Sequence, residues 1–143
     1  MNDISRAKKL LAGSITCALV KGEEVYVSEK SGIAPMMGFI GSEIDLAGFS
    51  AADKIVGKAA AMLFVKAGVR EVYAEVLSVK EREFLESHGV KVEFGALVER
   101  IINRAGTGQC PMEESVENIS DAETGYSVLK EKISSARNNV GKL

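Results

Sequence analysis

The sequence predicts an α/β fold, a three-layer α-β-α sandwich around a mixed sheet, from three observations. Short β-branched runs alternate with runs of helical period. One early pair of strand patterns is joined by a tight glycine turn, which makes it an antiparallel hairpin. A later pair is separated by a helix of crossover length, which makes those two strands parallel. The chain has 143 residues, 46% of them hydrophobic, and reads as one domain (1–143) with room for a real core.

Asp3 to Ala12 carries Ile4, Ala7, Leu10 and Leu11 at helical spacing, and Gly13 can close that helix. Residues 15–20 and 24–28 are strands, with Lys21-Gly22-Glu23 as the turn between them. Cys17 falls inside the first strand, where a cysteine belongs to the core. A glycine-rich segment over 29–49 is expected to be loop with a helical turn or two from about Ala34 to Ile40. Ser50-Ala51-Ala52-Asp53 has the look of a capped start for the longest helix, running to about Ala67 and stopped by Gly68, with Gly57 marking a close contact inside it. Val69 to Leu77 reads as a central strand, and Ser78-Val79-Lys80-Glu81 as a capping box for a helix to about His88. Val90 to Phe94 is the next strand, and 96–102 is read as extended. Cys110, directly before Pro111, is the expected N-cap of a short helix over Met112 to Ile119. Ser120 is expected to cap a final amphipathic helix to about Ala136, and residues 137–143 to fray.

Composition narrows the function. A net charge of −2 offers no basic footprint for nucleic acid, and the absence of tryptophan argues against base-stacking platforms, so no nucleic-acid polymer is an expected partner. No apolar run approaches the roughly 20 residues of a spanning helix, and the opening MNDISRAKKLLAGS is too polar for a secretory signal. Two distant cysteines are no disulfide framework, which points to a reducing cytoplasm. A homo-oligomer is compatible with all of this.

The chemistry concentrates in Asn103-Arg104-Ala105-Gly106-Thr107-Gly108-Gln109-Cys110-Pro111-Met112-Glu113. A helix starting at Pro111 would place unpaired N–H groups and positive dipole beside the Cys110 thiol, lowering its pKa and attracting anions. Gly106 and Gly108 would let the backbone approach a ligand, and either Glu113 or Glu114, not both, could face the same site. A second polar cluster is Asp53, Lys54 and Lys58, in which the lysines, four apart, would share a helix face and welcome an anion. Zinc is poorly supported. The single histidine, His88, lies at a helix end and reads as solvated, which also removes a His-based triad. No cofactor is expected, and neither a dinucleotide nor a phosphate-loop glycine signature is present.

The order of elements resembles that of the cytidine-deaminase-like superfamily. Asp53-Lys54-Ile55-Val56-Gly57-Lys58-Ala59-Ala60 together with Asn103-Arg104-x-Gly106-Thr107-Gly108-x-Cys110-Pro111-Met112-Glu113 resembles the bacterial family called domain of unknown function 1893, from about Ile4 to Leu129. Zinc deaminases of that superfamily carry His-x-Glu or Cys-x-Glu at the start of the helix after the hairpin, and Pro-Cys-x-x-Cys at the start of the helix after the third strand. With the elements as read above, those places hold Ala52-Asp53-Lys54-Ile55 and Leu77-Ser78-Val79-Lys80-Glu81-Arg82, so zinc deamination is not expected. The resemblance implies a pocket bordered by Asp53, Lys54, residues 103–110 and Glu113. The expected function is a non-zinc small-molecule binding domain, for a small anion such as a nucleotide or a metabolite derived from one, in a sensor or accessory role. The alternatives are a thiol-dependent enzyme with Cys110 as nucleophile and a structural interaction module.

Overall fold

The computed structural model describes residues 2–99, 115–116 and 118–141. In chain order the elements are α1 (Asp3–Leu10), β1 (Cys17–Lys21), β2 (Glu24–Ser28), α2 (Ala34–Gly41), β3 (Ser50–Val56), α3 (Lys58–Ala67), β4 (Glu71–Ser78), α4 (Val79–Ser87), β5 (Lys91–Val98) and α5 (Ala122–Gly141). The sheet order is β2-β1-β3-β4-β5. β1 is antiparallel to both β2 and β3, whereas β3, β4 and β5 are parallel. The expected mixed sheet with helices on both faces is therefore the fold.

The hairpin closes as its residues predict. Lys21 pairs with Glu24, and Gly22 takes a positive φ of 61° in the two-residue turn between them. The α1 helix is capped by the Asn2 side chain, which accepts from the Ser5 N–H at 3.0 Å. It is tied to the hairpin by Arg6, whose Nη1 donates to the Gly22 carbonyl at 2.6 Å. One face of the sheet is covered by α1, whose Ile4, Ala7 and Leu11 pack with Ala18, Val20, Ala52 and Tyr73. On the other face Leu19, Phe49, Met62, Leu63, Phe64, Leu77, Leu85 and Leu129 form the main core under the remaining helices.

The largest correction concerns residues 50–56, expected to begin the longest helix and found instead as the central strand β3. Ser50, Ala51, Ala52 and Asp53 are all buried, held between β1 and β4 and sandwiched on both faces. Burial on both faces removes the two-residue alternation that marks a strand, and alanine lends the run a helical look. Gly57 is the junction. It is the N-cap of α3 in extended conformation, not a contact inside a longer helix. Ser50 caps nothing, since its hydroxyl donates to the Glu71 carboxylate on β4. At the end of α3, Gly68 takes φ 77° and closes the helix as expected.

Smaller differences follow. The cap of α5 is Asp121, one residue beyond the expected Ser120; its Oδ2 accepts from the Thr124 N–H at 2.9 Å and from the Thr124 hydroxyl at 2.7 Å. Those two bonds hold the Asp121 carboxyl below its ordinary pKa. β5 does not stop at Phe94 but runs on through Gly95 to Val98, so the extended reading holds as far as the strand goes. A Cβ on Gly95 would lie 2.9 Å from the Glu75 carbonyl oxygen of β4. Backbone cannot swing aside as a side chain can, so the gain in strand propensity from a branched residue is outweighed by the collision. Gly95→Val is expected to destabilise by about 1–3 kcal/mol, read as a lower urea midpoint at unchanged slope. An equal or higher midpoint would mean the two strands separate there without cost.

Candidate functional site

The topology gathers one edge of the sheet. The parallel strands β3, β4 and β5 end there, β2 ends there, and β1, running the other way, begins there at Cys17. The helices α2, α3 and α4 follow β2, β3 and β4, and α3 and α4 each start within two residues of their strand. Ligands of open α/β sheets settle outside the carboxyl ends of parallel strands, which makes this edge the place to search.

Asp53 is the most unusual residue on it. It sits in β3, opposite Cys17 on one side and Ala74 on the other, and is 7% exposed. Its Oδ1 accepts from the N–H of Lys54 at 2.8 Å. Burial pushes its pKa from 3.8 up to about 8, against the opposing pull of the Lys54 and Ile55 N–H groups. Near neutrality it is therefore a protonated acid, able to donate as well as accept a hydrogen bond. Cys17 is fully buried, as expected of a strand cysteine, and burial, then the nearby Asp53, pushes its thiol pKa up. It is a core group and a poor nucleophile.

Lys54 and Lys58 do not share a helix face. Lys54 belongs to β3, and its Nζ donates to the Gly13 carbonyl at 3.2 Å, beyond the end of α1. Lys58 opens α3, half-buried at the strand edge. The expected lysine pair is replaced by one lysine at the edge and one turned to the α1 side. Asn103, Arg104, Gly106, Thr107, Gly108, Cys110 and Glu113 lie outside the described residues, although β5 delivers the chain to this same edge at Val98.

Ser78 carries a signal that sequence reasoning took only for a cap. It is the N-cap residue of α4, with the extended backbone a cap requires (φ −88°, ψ 154°), yet it makes no capping bond. Its Oγ is buried and has no hydrogen-bond partner. The capping-box motif was visible; the absence of the Ser78 capping bond was not. His88 ends α4 exposed, as expected, with Nδ1 2.9 Å from the Phe84 carbonyl oxygen and its ring on Phe84 at 4.5 Å.

The helix after the hairpin is α2, preceded by Ile33 and opening Ala34-Pro35, and the helix after the third strand is α3, entered through Gly57-Lys58-Ala59-Ala60-Ala61. The assignment to Ala52-Asp53-Lys54-Ile55 and Leu77–Arg82 is thus corrected. None of the side chains at the corrected positions is a zinc ligand, so the residues do not fit the metal. Among the described residues no three His, Cys, Asp or Glu side chains are grouped to hold one.

The fold and this edge define an α/β domain with a mixed five-stranded sheet, in which the positions that the sequence resemblance would give to zinc hold apolar residues, glycine and lysine. The family described as Domain of unknown function (DUF1893) matches residues 5–133, and the chain belongs to it. A solved DUF1893 family protein from Thermotoga maritima superposes with a TM-score of 0.81 over 92% of this chain and 91% of that one, at 21% identity. A dCMP deaminase from the cyanophage S-TIM5 aligns at TM-score 0.46 and 14% identity, over 64% of this chain and 93% of the other. A diaminohydroxyphosphoribosylaminopyrimidine deaminase/5-amino-6-(5-phosphoribosylamino)uracil reductase from Thermotoga maritima aligns at 0.44 and 17%, over 65% and 34%. No curated protein matches the chain. No helix among the described residues is long and apolar enough to cross a membrane.

Proposed function

We propose that this protein is a non-zinc binding domain for a small polar metabolite of nucleotide type, acting as a cytoplasmic sensor or accessory protein. Its site lies at the carboxyl ends of β3 and β4. The observation that carries the reading is Asp53, a carboxyl 7% exposed on the central strand, set opposite Cys17 and Ala74 and preceded in β3 by Ala52. Burying a carboxyl without a charged partner costs stability, and proteins break the pattern of an apolar core chiefly where function requires it. A protonated carboxyl can meet both a donor and an acceptor, the pattern that heterocyclic bases and amides present.

The test starts from the protein as purified. Denaturation followed by mass spectrometry identifies any small molecule carried through purification, and a thermal-shift panel of nucleosides, nucleotides and sugar phosphates extends the search. A true ligand at a hundred times its dissociation constant stabilises by about 2.7 kcal/mol. Asp53→Asn keeps the shape but fixes donor and acceptor on separate atoms, so it is expected to remove most of that increment. A panel with no responding compound, or a response that Asp53→Asn leaves whole, would defeat the reading.

A further inference from the structure

The two faces of the sheet are covered unequally. Helices α2 to α5 all contribute to the core of one face, through Met36, Phe64, Leu85 and Leu129. The other face carries, among the described residues, only the eight-residue α1. Residues paired directly across strands share a face, so the pairing shows what α1 leaves bare. Tyr73 belongs to the α1 side, with the Lys8 Nζ 4.6 Å from its ring centre. Its partner on β5, Glu93, is therefore on that side too, and it is exposed. Gly95 follows by alternation, and a second observation agrees, since a Cβ there would lie 3.4 Å from the Tyr73 hydroxyl. Glu75, two residues on from Tyr73, is exposed on the same side. A trough thus runs beside α1 over β4 and β5, bare among the described residues. On the other flank of α1, Val25 and Val27 are also bare, opposite Val20 and Ala18. That shelf is one strand wide, about 4.8 Å, half of what a helix about 10 Å across needs.

Ridge and trough carry opposite charge. Ile4, Ala7 and Leu11 face the sheet. Lys9, about 200° round the helix from Ala7, therefore points away from it and is exposed. The trough presents Glu75 and Glu93. Lys91 shares that face but stands beside Glu71, one step further from the lysines of α1. A face with a basic ridge next to an acidic trough is complementary to a second copy of itself. We propose that this face is a homodimer interface, in which α1 of each copy lies in the β4–β5 trough of the other. A two-fold axis along the strands, between ridge and trough, produces that arrangement and keeps each residue's height along the strands. Lys8 stands at the height of Tyr73 and Glu93. Lys9 of one copy therefore comes down near Glu93 and Glu75 of the other, and Gly95, lacking a side chain, keeps the floor low beneath it. Two short helices bury less than an obligate dimer needs, which puts the association in the weak class under about 1,200 Å².

Sedimentation equilibrium from micromolar to near-millimolar protein is the measurement. At low ionic strength the mass is expected to rise from the 15.3 kDa of one chain toward twice that. In about 1 M salt, where charges are screened beyond roughly 3 Å, it should rise less. Glu93→Lys and Lys9→Glu are each expected to weaken dimerisation at least about tenfold. Each sets like charges together at two symmetric places, and like charges across an interface cost more than the 1.4 kcal/mol (order of magnitude) that tenfold represents. The double variant restores opposite charge and is expected to return to within about threefold of wild type. Both residues are exposed, so all three variants are expected to keep the melting temperature of the monomer. A chain that stays monomeric throughout would overturn the interface and leave the trough to residues 100–114 of the same chain or to a different protein. A dimer that neither substitution weakens, or that the double variant fails to restore, would put the contact on another face and overturn it equally.

Discussion

Asp53→Asn is expected to flatten the dependence of stability on pH that the wild-type protein shows between about pH 4 and pH 8. The folded carboxyl has its pKa raised from 3.8 to about 8. Across that window the unfolded chain has released the proton and the folded chain still holds it. The folded state therefore binds more protons, and stability falls as pH rises, by about 1.4 kcal/mol per unit for one group. The contribution is at its most favourable below the unfolded pKa and is lost progressively up to the folded one. Over the whole window the loss is on the order of 5 kcal/mol, a large fraction of the 5–15 kcal/mol typical of a domain (order of magnitude). Asparagine carries no titrating proton and nearly the same shape. Urea denaturation of both proteins from pH 5 to pH 9 gives the difference directly, since groups that do not interact with Asp53 cancel and Cys17, which does, stays a thiol in both folded proteins through its burial. The curves should diverge with pH, the variant being the more stable at pH 9. Parallel curves would mean that Asp53 is ionised in the folded protein with a partner that holds its charge.

Why the sequence revealed Asp53 as a candidate but misplaced it has a physical explanation. Where one face of an element is wet, the pattern survives. The α1 helix, the hairpin, α4 and the stop at Gly68 were all legible because polar residues mark their solvent sides or glycine marks their ends. Ser50 to Val56 has no solvent side along its first four residues, so composition alone spoke, and alanine spoke for helix. That single error moved Asp53 and Lys54 to a helix end, paired two lysines that the structure separates, and shifted both zinc positions to the wrong residues. The absence of zinc ligands survived the correction because neither set of positions holds a full set of ligands. The unused Ser78 hydroxyl was invisible for another reason: a motif specifies which residues can cap, and only the packing decides whether they do.

Cys17 is expected to react with an alkylating reagent only when the protein unfolds, at least about a thousandfold more slowly than the unfolded chain. The thiol is fully buried, and burial and then Asp53 push its pKa up, so both access and thiolate are withheld. Peptide mapping separates it from Cys110. The informative comparison is Asp53→Asn at pH 9. Removing the carboxylate opposite Cys17 makes the thiol easier to ionise, which would speed labelling if reagent reached the folded protein. The same substitution stabilises the fold at that pH by several kcal/mol, which makes the unfolded molecules rarer and slows labelling through them. With no exposed surface on Cys17, access decides: the variant is expected to label more slowly than wild type at pH 9, and at nearly the wild-type rate at pH 5. Faster labelling of the variant at pH 9 would show that reagent enters this edge of the sheet without unfolding, and that the Asp53 charge, not burial, guards the thiol.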